Sequence, residues 1–337
     1  MLQIWLIFLG SAAVIVVAGT KLSHYGDRIA DLTGLGRLWI GVVLMAVATS
    51  LPEVFTTISA GYLGAPDLAA GDLFGAGLTN MLTLGLIDQM HRGKGVWQQA
   101  AFENTLVAAL AIILTALASF FVLFRFGVEH VGIGFGSLLL LLVYVLGIRL
   151  VFRQEDVKRR QKEIQILATA EAAREDGHES KRQALRHASL GFGAAALALL
   201  VSAPLLARSG QDIAEATGIS EMFIGTSLVA LTTSMPELVT AVAAVRLGAF
   251  DLAVGNLFGS NAFNMAAFAF ADMAFREGPL LSSISTNHAM TGLWSILLMN
   301  VGLMGIIYRV EKRYALIEPD SFVMIIGYFL GLWLLFR

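Results

Sequence analysis

The feature that most restricts this chain is a carboxylate that occurs twice in the same apolar setting. Ala48-Thr49-Ser50-Leu51-Pro52-Glu53 returns 184 residues later as Thr232-Thr233-Ser234-Met235-Pro236-Glu237. The register runs without a gap from Gly41/Gly225 to Met81/Met265, and 21 of those 41 pairs are identical. The chain therefore carries an internal duplication. Each copy buries a glutamate in a stretch apolar enough to cross a bilayer, where an ionisable residue is a functional-site hypothesis by default.

Composition sets the surroundings of that motif. Of 337 residues, 57% are hydrophobic and 14% charged, against roughly 25% charged in a soluble domain. The expectation is a multi-pass protein of the cell (plasma or inner) membrane, with the lipid bilayer and inorganic cations as partners and no nucleic acid. Cysteine is absent, which excludes disulfides and thiolate ligands, and the six histidines are scattered. The apolar run from Leu2 lacks a basic leader and continues as a span, so no cleavable signal peptide is expected. No P-loop motif is present, which argues against an ATP-driven pump. The chain is not expected to be an enzyme or to carry a cofactor. A monomer suffices for this reading, which leaves the oligomeric state open.

Ten stretches reach the roughly 20 residues that a helix needs to cross a bilayer: about 2–22, 39–62, 67–89, 104–124, 130–151, 188–208, 222–246, 251–273, 289–308 and 321–336. The long polar interruption 153–187 is rich in Lys and Arg and reads as a cytoplasmic connector, either helical on the membrane surface or flexible. With it inside, 19 of the 23 Lys and Arg fall on the cytoplasmic side; only Arg125, Arg208, Arg276 and Arg337 fall opposite. The fold class expected is an all-α polytopic membrane protein of ten transmembrane helices, with both termini extracytoplasmic. Its parts are a first five-helix repeat, 1–152, the polar loop 153–187, and a second five-helix repeat, 188–337. Because five is odd, the second repeat enters the membrane inverted, an arrangement that places a transport site at the repeat interface near the midplane.

The repeated residues suit a hard cation. No Lys or Arg lies in the central parts of the motif-bearing spans to neutralise Glu53 and Glu237, and a charged side chain at mid-bilayer costs about 2.5–3.5 kcal/mol even on the lenient insertion scale. Two carboxylates match one divalent ion, two monovalent ions or two protons. Pro52 and Pro236 each remove a backbone donor and free the carbonyl four residues back, at Ala48 and Thr232. With the hydroxyls of Thr49, Ser50, Thr233 and Ser234 these make an all-oxygen shell of the kind Ca2+ and Na+ take. Asn80 and Asn264 are mid-span amides, placed either to complete that shell or to hydrogen-bond between helices. Asp72 reads as lining an outer vestibule or capping a helix break. Asp67 and Asp251 read as N-caps, and Asp88 and Asp272 as interfacial.

At these residues the sequence resembles the calcium/cation antiporter superfamily, in its sodium/calcium exchanger branch, whose repeats read G-T-S-[LM]-P-E followed by G-N-x-x-G-S-N-x-x-[ND]. The resemblance covers essentially the whole chain. It implies alternating access, in which helices one and six slide against the other eight, and alternate binding of Ca2+ and Na+ at Glu53 and Glu237. It also implies ligation by Thr49, Thr233, Ser50 and Ser234, by Ser260, and by the carbonyls of Ala46 and Ala230. The chain departs from the pattern at Ala48 and Thr232 (glycine in the family), Ala76 (serine), Gly77 (asparagine) and Asp72 (asparagine). Asn80 and Asn264 are both amides where relatives often carry one aspartate. The expectation is therefore one hydroxyl ligand fewer and no third carboxylate at the centre.

The function expected is secondary antiport, Na+/Ca2+ exchange at a midplane site of two glutamates. The alternatives are an H+-coupled Ca2+ or other-cation exchanger of the same fold, and a membrane sensor that binds an ion without transporting it. The missing hydroxyl favours the sensor; the two intact glutamates argue against it.

Overall fold

The computed structural model describes residues 1–33, 45–90, 96, 104–130, 132–167, 178–308 and 319–336. The start of the second expected span (39–44), and the segments with Arg37, Arg92, Lys94, Arg174, Arg309, Lys312 and Arg313, lie outside the described residues. The chain is predominantly helical. In order come α1 (Leu2–Thr33), α2 (Ala46–Thr49), α3 (Leu51–Tyr62), α4 (Pro66–Met90), α5 (Asn104–Phe124), α6 (Phe135–Leu167) and α7 (His178–Thr217). The second half continues with α8 (Glu221–Ile224), a π-helical turn at Gly225–Val229, α9 (Ala230–Thr233), α10 (Met235–Arg246), α11 (Phe250–Ala274), α12 (Leu280–Ser283), α13 (Asn287–Tyr308) and α14 (Pro319–Phe336). A small antiparallel hairpin, Glu129–His130 with Ile133–Gly134, joins α5 to α6. It departs from the all-α expectation because Gly132, at φ 78°, lets the short connection turn back on itself.

By length and hydropathy, α1, α4, α5, α7 and α13 are each able to cross a membrane, and α8 to α10 count as a sixth span if the bent pair is taken as one. Phe135–Val151 and Pro319–Leu335 are shorter apolar helices. Of the remaining expected spans, these two are short, while 39–62 and 251–273 carry the repeated motifs, with their glycines, hydroxyls and, in 39–62, a helix break. The polar stretch after residue 153 is helical at both ends, since α6 runs on to Leu167 and α7 begins at His178.

The two halves break their helices at the same point. Ser50 (φ −86°, ψ 5°) separates α2 from α3, and Ser234 (φ −84°, ψ 5°) separates α9 from α10. Proline two residues on cannot supply a helical donor, so the chain leaves the helix before it and restarts around it. Glu53 and Glu237 then fall in the first turn of the restarted helices, where the helix dipole favours negative charge. In the second half the two arms meet at 42°.

Two apolar clusters hold the molecule together. The larger joins α3, α4, α5, α6, α10, α11, α13 and α14 around Phe74, Phe258 and Phe268. The smaller is built on α1 and α7, which pack along each other through Ile15, Leu22, Leu199 and Leu206. Between them and the motif helices the contacts are close. Glycine 19 of α1 faces both motif prolines: a β-carbon there would lie 2.4 Å from Pro236 Cγ and 3.3 Å from Pro52 Cγ.

The carboxylates at the helix ends correct several expectations. Ala249, not Asp251, occupies the cap position of α11. The Asp67 carboxylate leaves its own helix and accepts from the Ser285 amide (2.6 Å) and pairs with His288 Nε2 (3.1 Å). Asp88 and Asp272, expected at the membrane interface, are buried within the protein. They do equivalent work 184 residues apart: Asp88 accepts from the Val96 amide (2.6 Å) and Asp272 from the Leu280 amide (3.0 Å). Ser321 Oγ also donates to Asp88, and the Gly134 amide to Asp272. Chain ends that fold back over a helix terminus leave buried donors, and a buried carboxylate satisfies them.

The crossing of α4 over the π-helical turn demands glycine. A β-carbon at Gly225 would sit 2.6 Å from the Leu68 carbonyl oxygen and 3.0 Å from Gly71 Cα. Gly225→Val is expected to destabilise the protein by about 1–3 kcal/mol, the usual cost of overpacking. Thermal unfolding in detergent reads it as a lowered Tm, whereas an unchanged Tm would mean the helices do not cross here.

Candidate functional site

The two glutamates are fully buried, each held by the serine of the opposite half. Ser234 Oγ donates to Glu53 Oε1 at 2.9 Å, and Ser50 Oγ donates to Glu237 Oε1 at 3.0 Å. The second oxygens, Glu53 Oε2 and Glu237 Oε2, are buried without a hydrogen-bond partner. Each helix break places its serine and glutamate three residues apart around the restarted turn, so each half offers one donor and one acceptor to the other. Among the described residues no Lys or Arg pairs with either carboxylate.

The threonines flank this pair. Thr49 Oγ1 lies 3.3 Å from Ser260 Oγ, donates at 3.2 Å to the Ala46 carbonyl and lies within 3.4 Å of Asn256 Oδ1. Thr49 and Ser260 also bear on the Glu237 carboxylate. Across the pseudo-twofold, Thr233 Oγ1 donates to Asp72 Oδ1 at 2.8 Å, with the carbonyls of Val229 and Ala230 at 3.2 and 3.3 Å. The Ala46 carbonyl also accepts weakly from Ser260 Oγ at 3.5 Å. Nine of the expected residues thus fall into three bonded groups: Glu53 with Ser234, Glu237 with Ser50, Thr49, Ser260 and the Ala46 carbonyl, and Thr233 with the Ala230 carbonyl.

The asparagines are at the same helical level but bonded differently. Asn80 Nδ2 donates to Asn261 Oδ1 at 2.8 Å, a bond between α4 and α11, so Asn80 takes the interhelical role. Its Oδ1 has no partner, and neither polar atom of Asn264 has one. These amides, both fully buried, are not joined by hydrogen bonds to the glutamate pair.

Asp72 overturns two expectations. It lines no vestibule and caps no break; it is fully buried, and its charge is felt by both Glu53 and Glu237. The centre does hold a third carboxylate. The signal was available: Asp72 aligns with Asn256 in the duplication, and it follows Gly71, which brings α4 against the backbone of Gly225 and Thr226 in the opposite half. Thr56 and Thr240, identical and in register, were equally readable and passed over. Gly19 had no signal, being one small residue in an apolar helix.

Among the described residues no three His, Cys, Asp or Glu side chains stand close enough to grip a metal on their own. The oxygens gathered here are mixed: carboxylates, hydroxyls, amides and helix-break carbonyls. Such a set suits hard cations with flexible coordination, since borderline and soft metals select nitrogen or sulfur.

Comparison with known proteins decides the family. The sodium/calcium exchanger protein family model matches twice, over residues 3–153 and 187–337. The chain belongs to the sodium/calcium exchanger family. Its members are membrane transporters rather than enzymes. This member is 28% identical over 253 residues to the inner membrane protein YrbG of Escherichia coli, covering 75% of this chain and 74% of that protein. It is 43% identical over 68 residues to the sodium/calcium exchanger MaX1 of Methanosarcina acetivorans, a match covering 20% of this chain and 19% of that one. The structure of the sodium-calcium exchanger NCX_Mj, soaked with 10 mM Na+ and zero Ca2+, superposes with a TM-score of 0.63 at 19% identity, covering 98% of both chains. The exchanger fold is common to both.

The cross-bracing makes a prediction that a same-half arrangement does not. Ser50→Ala and Glu237→Gln are expected to be coupled by about 1 kcal/mol in a double-mutant cycle of thermal stability, and Ser50→Ala and Glu53→Gln to be additive. Coupling within one half and additivity across the halves would contradict the geometry.

Proposed function

We propose that this protein is a secondary cation antiporter that exchanges Ca2+ for Na+ by alternating access, with Glu53 and Glu237 as the charged ligands of a midplane site. The observation that carries the reading is the pair of buried carboxylates that no Lys or Arg among the described residues meets and whose second oxygens have no partner. Two desolvated negative charges close enough to repel one another persist only where a cation or protons balance them. Ser50, Ser234, Thr49, Thr233, Ser260 and the carbonyls of Ala46 and Ala230 supply oxygens around them, and Asn80 Oδ1 and Asn264 Oδ1 complete the shell in one of the occupied states.

The architecture we propose for it is ten transmembrane helices in two inverted five-helix halves, 1–152 and 188–337, joined by the cytoplasmic stretch 153–187, with both termini outside and the protein in the cell membrane. The extensive packing of α1 along α7 supports their movement as one body over the two motif prolines. An H+-coupled exchanger of the same fold remains the second reading, favoured by the loss of a hydroxyl at Ala76. Inorganic cations are the substrates; no cofactor enters the scheme.

Reconstituted in liposomes loaded with Na+, the wild-type protein is expected to take up radiolabelled Ca2+ against an outward Na+ gradient, and Glu53→Gln and Glu237→Gln each to abolish uptake. Uptake driven by an outward H+ gradient alone would replace Na+ as the coupling ion. Uptake that survives both substitutions would remove the two glutamates from the site. Gly19→Val is expected to block uptake while leaving Ca2+ binding in detergent intact, because the added carbons wedge α1 against Pro236 and Pro52; equal loss of binding and uptake would place Gly19 in the static core instead.

A further inference from the structure

The duplication is broken at several pairs inside the site, and the one at Asp72/Asn256 leaves a gap in the hydrogen bonding. In the second half, Asn256 closes its neighbourhood. Its Nδ2 donates to Thr240 Oγ1 (3.4 Å) and its Oδ1 faces the Thr49 hydroxyl (3.4 Å). Thr240 in turn donates to the Pro236 and Glu237 carbonyls (2.9 and 3.0 Å). The corresponding residues of the first half are Asp72, Thr56 and Thr233. There the Thr233 hydroxyl still reaches Asp72 Oδ1 at 2.8 Å. The other contact is missing. A carboxylate has no N–H to offer, and both Asp72 Oδ2 and Thr56 Oγ1 are buried with no partner. Two unpartnered buried oxygens thus occupy the positions that, in the other half, are joined by an N–H···O bond. The residues themselves are 0% and 1% exposed.

We propose that Asp72 Oδ2 and Thr56 Oγ1 hold a monovalent alkali cation, a position distinct from the ion between Glu53 and Glu237, and that Asp72 thereby sets how many monovalent ions the protein carries per divalent ion. The cation takes the place of the amide hydrogens that Asn256 supplies on the other side. Its charge also balances the third carboxylate, which lies within the fields of Glu53 and Glu237 and has no basic partner among the described residues. This assignment rests on reading Glu53 and Glu237 as the central cation site. The exchanger pattern has asparagine at position 72, so the extra position belongs to this chain's own substitution.

The test is saturation binding of radiolabelled Na+ and, separately, of radiolabelled Ca2+ to the purified full-length protein in detergent. Asp72→Asn lets the amide donate to Thr56 and is expected to bind one Na+ fewer per protein while retaining Ca2+ binding. Asn256→Asp opens the equivalent gap in the other half and is expected to bind one Na+ more, so the count is decided even if the Asp72 variant does not fold. The same Na+ count in wild type and both variants, or no saturable Na+ binding at all, overturns the assignment and leaves Asp72 bearing a proton. Failure of the central site is read elsewhere, as Ca2+ binding that survives Glu53→Gln and Glu237→Gln.

Discussion

Everything at the centre of this molecule depends on the exchange of a hydroxyl between halves: Ser234 braces Glu53 and Ser50 braces Glu237. Removing a carboxylate from water is costly, and one hydrogen bond returns only about 1.5–3 kcal/mol of that cost. The bracing is therefore enough to aim each carboxylate and too little to satisfy it. One oxygen of each is fixed and the other is left free. A rigid scaffold with unsatisfied charge is what an ion-carrying site needs.

The scaffold follows from backbone chemistry rather than from the carboxylates. Proline at 52 and 236 forces the helices to break at Ser50 and Ser234 with nearly the same dihedral angles. The breaks present hydroxyls and carbonyls that an unbroken helix would keep to itself. Glycine at 71 and 225 lets α4 come against the π-helical turn at backbone distance, which brings Asp72 into reach of Thr233. Over the outside of both breaks lie α1 and α7, joined to each other by their own apolar cluster and meeting the motif prolines through Gly19. Polar packing at the centre thus contrasts with apolar contact at the edge.

Much of this was legible in the sequence because duplication writes the site twice. Glu53 and Glu237, with their flanking Thr and Ser, could be picked out without a structure, since a carboxylate repeated in register within apolar chain has few innocent explanations. What could not be read was which half each serine serves, because crossing between halves is a property of the packed interface and not of spacing. Asp72 was misplaced for a related reason. Position along a span gives depth, but α4 is buried on nearly every side, so no apolar stripe indicates which way residue 72 faces. The burial of Asp88 and Asp272 could not be read either, because beside the nearby Val96 and Leu280 amides it is distant chain, at Ser321 and Gly134, that covers them. The family match covers the two intervals that carry the repeated motifs, and says nothing of the aspartate that this chain places among them.

The central claim is that a single cation bridges the two halves at Glu53 and Glu237. Anomalous X-ray scattering from crystals soaked with Sr2+, which substitutes for Ca2+ among oxygen ligands, tests it most directly. The expected result is one strong anomalous peak within about 2.3–2.6 Å of a carboxylate oxygen from each glutamate. A peak on one glutamate alone, or a strong peak elsewhere with Glu53 and Glu237 still braced only by their serines, would contradict it.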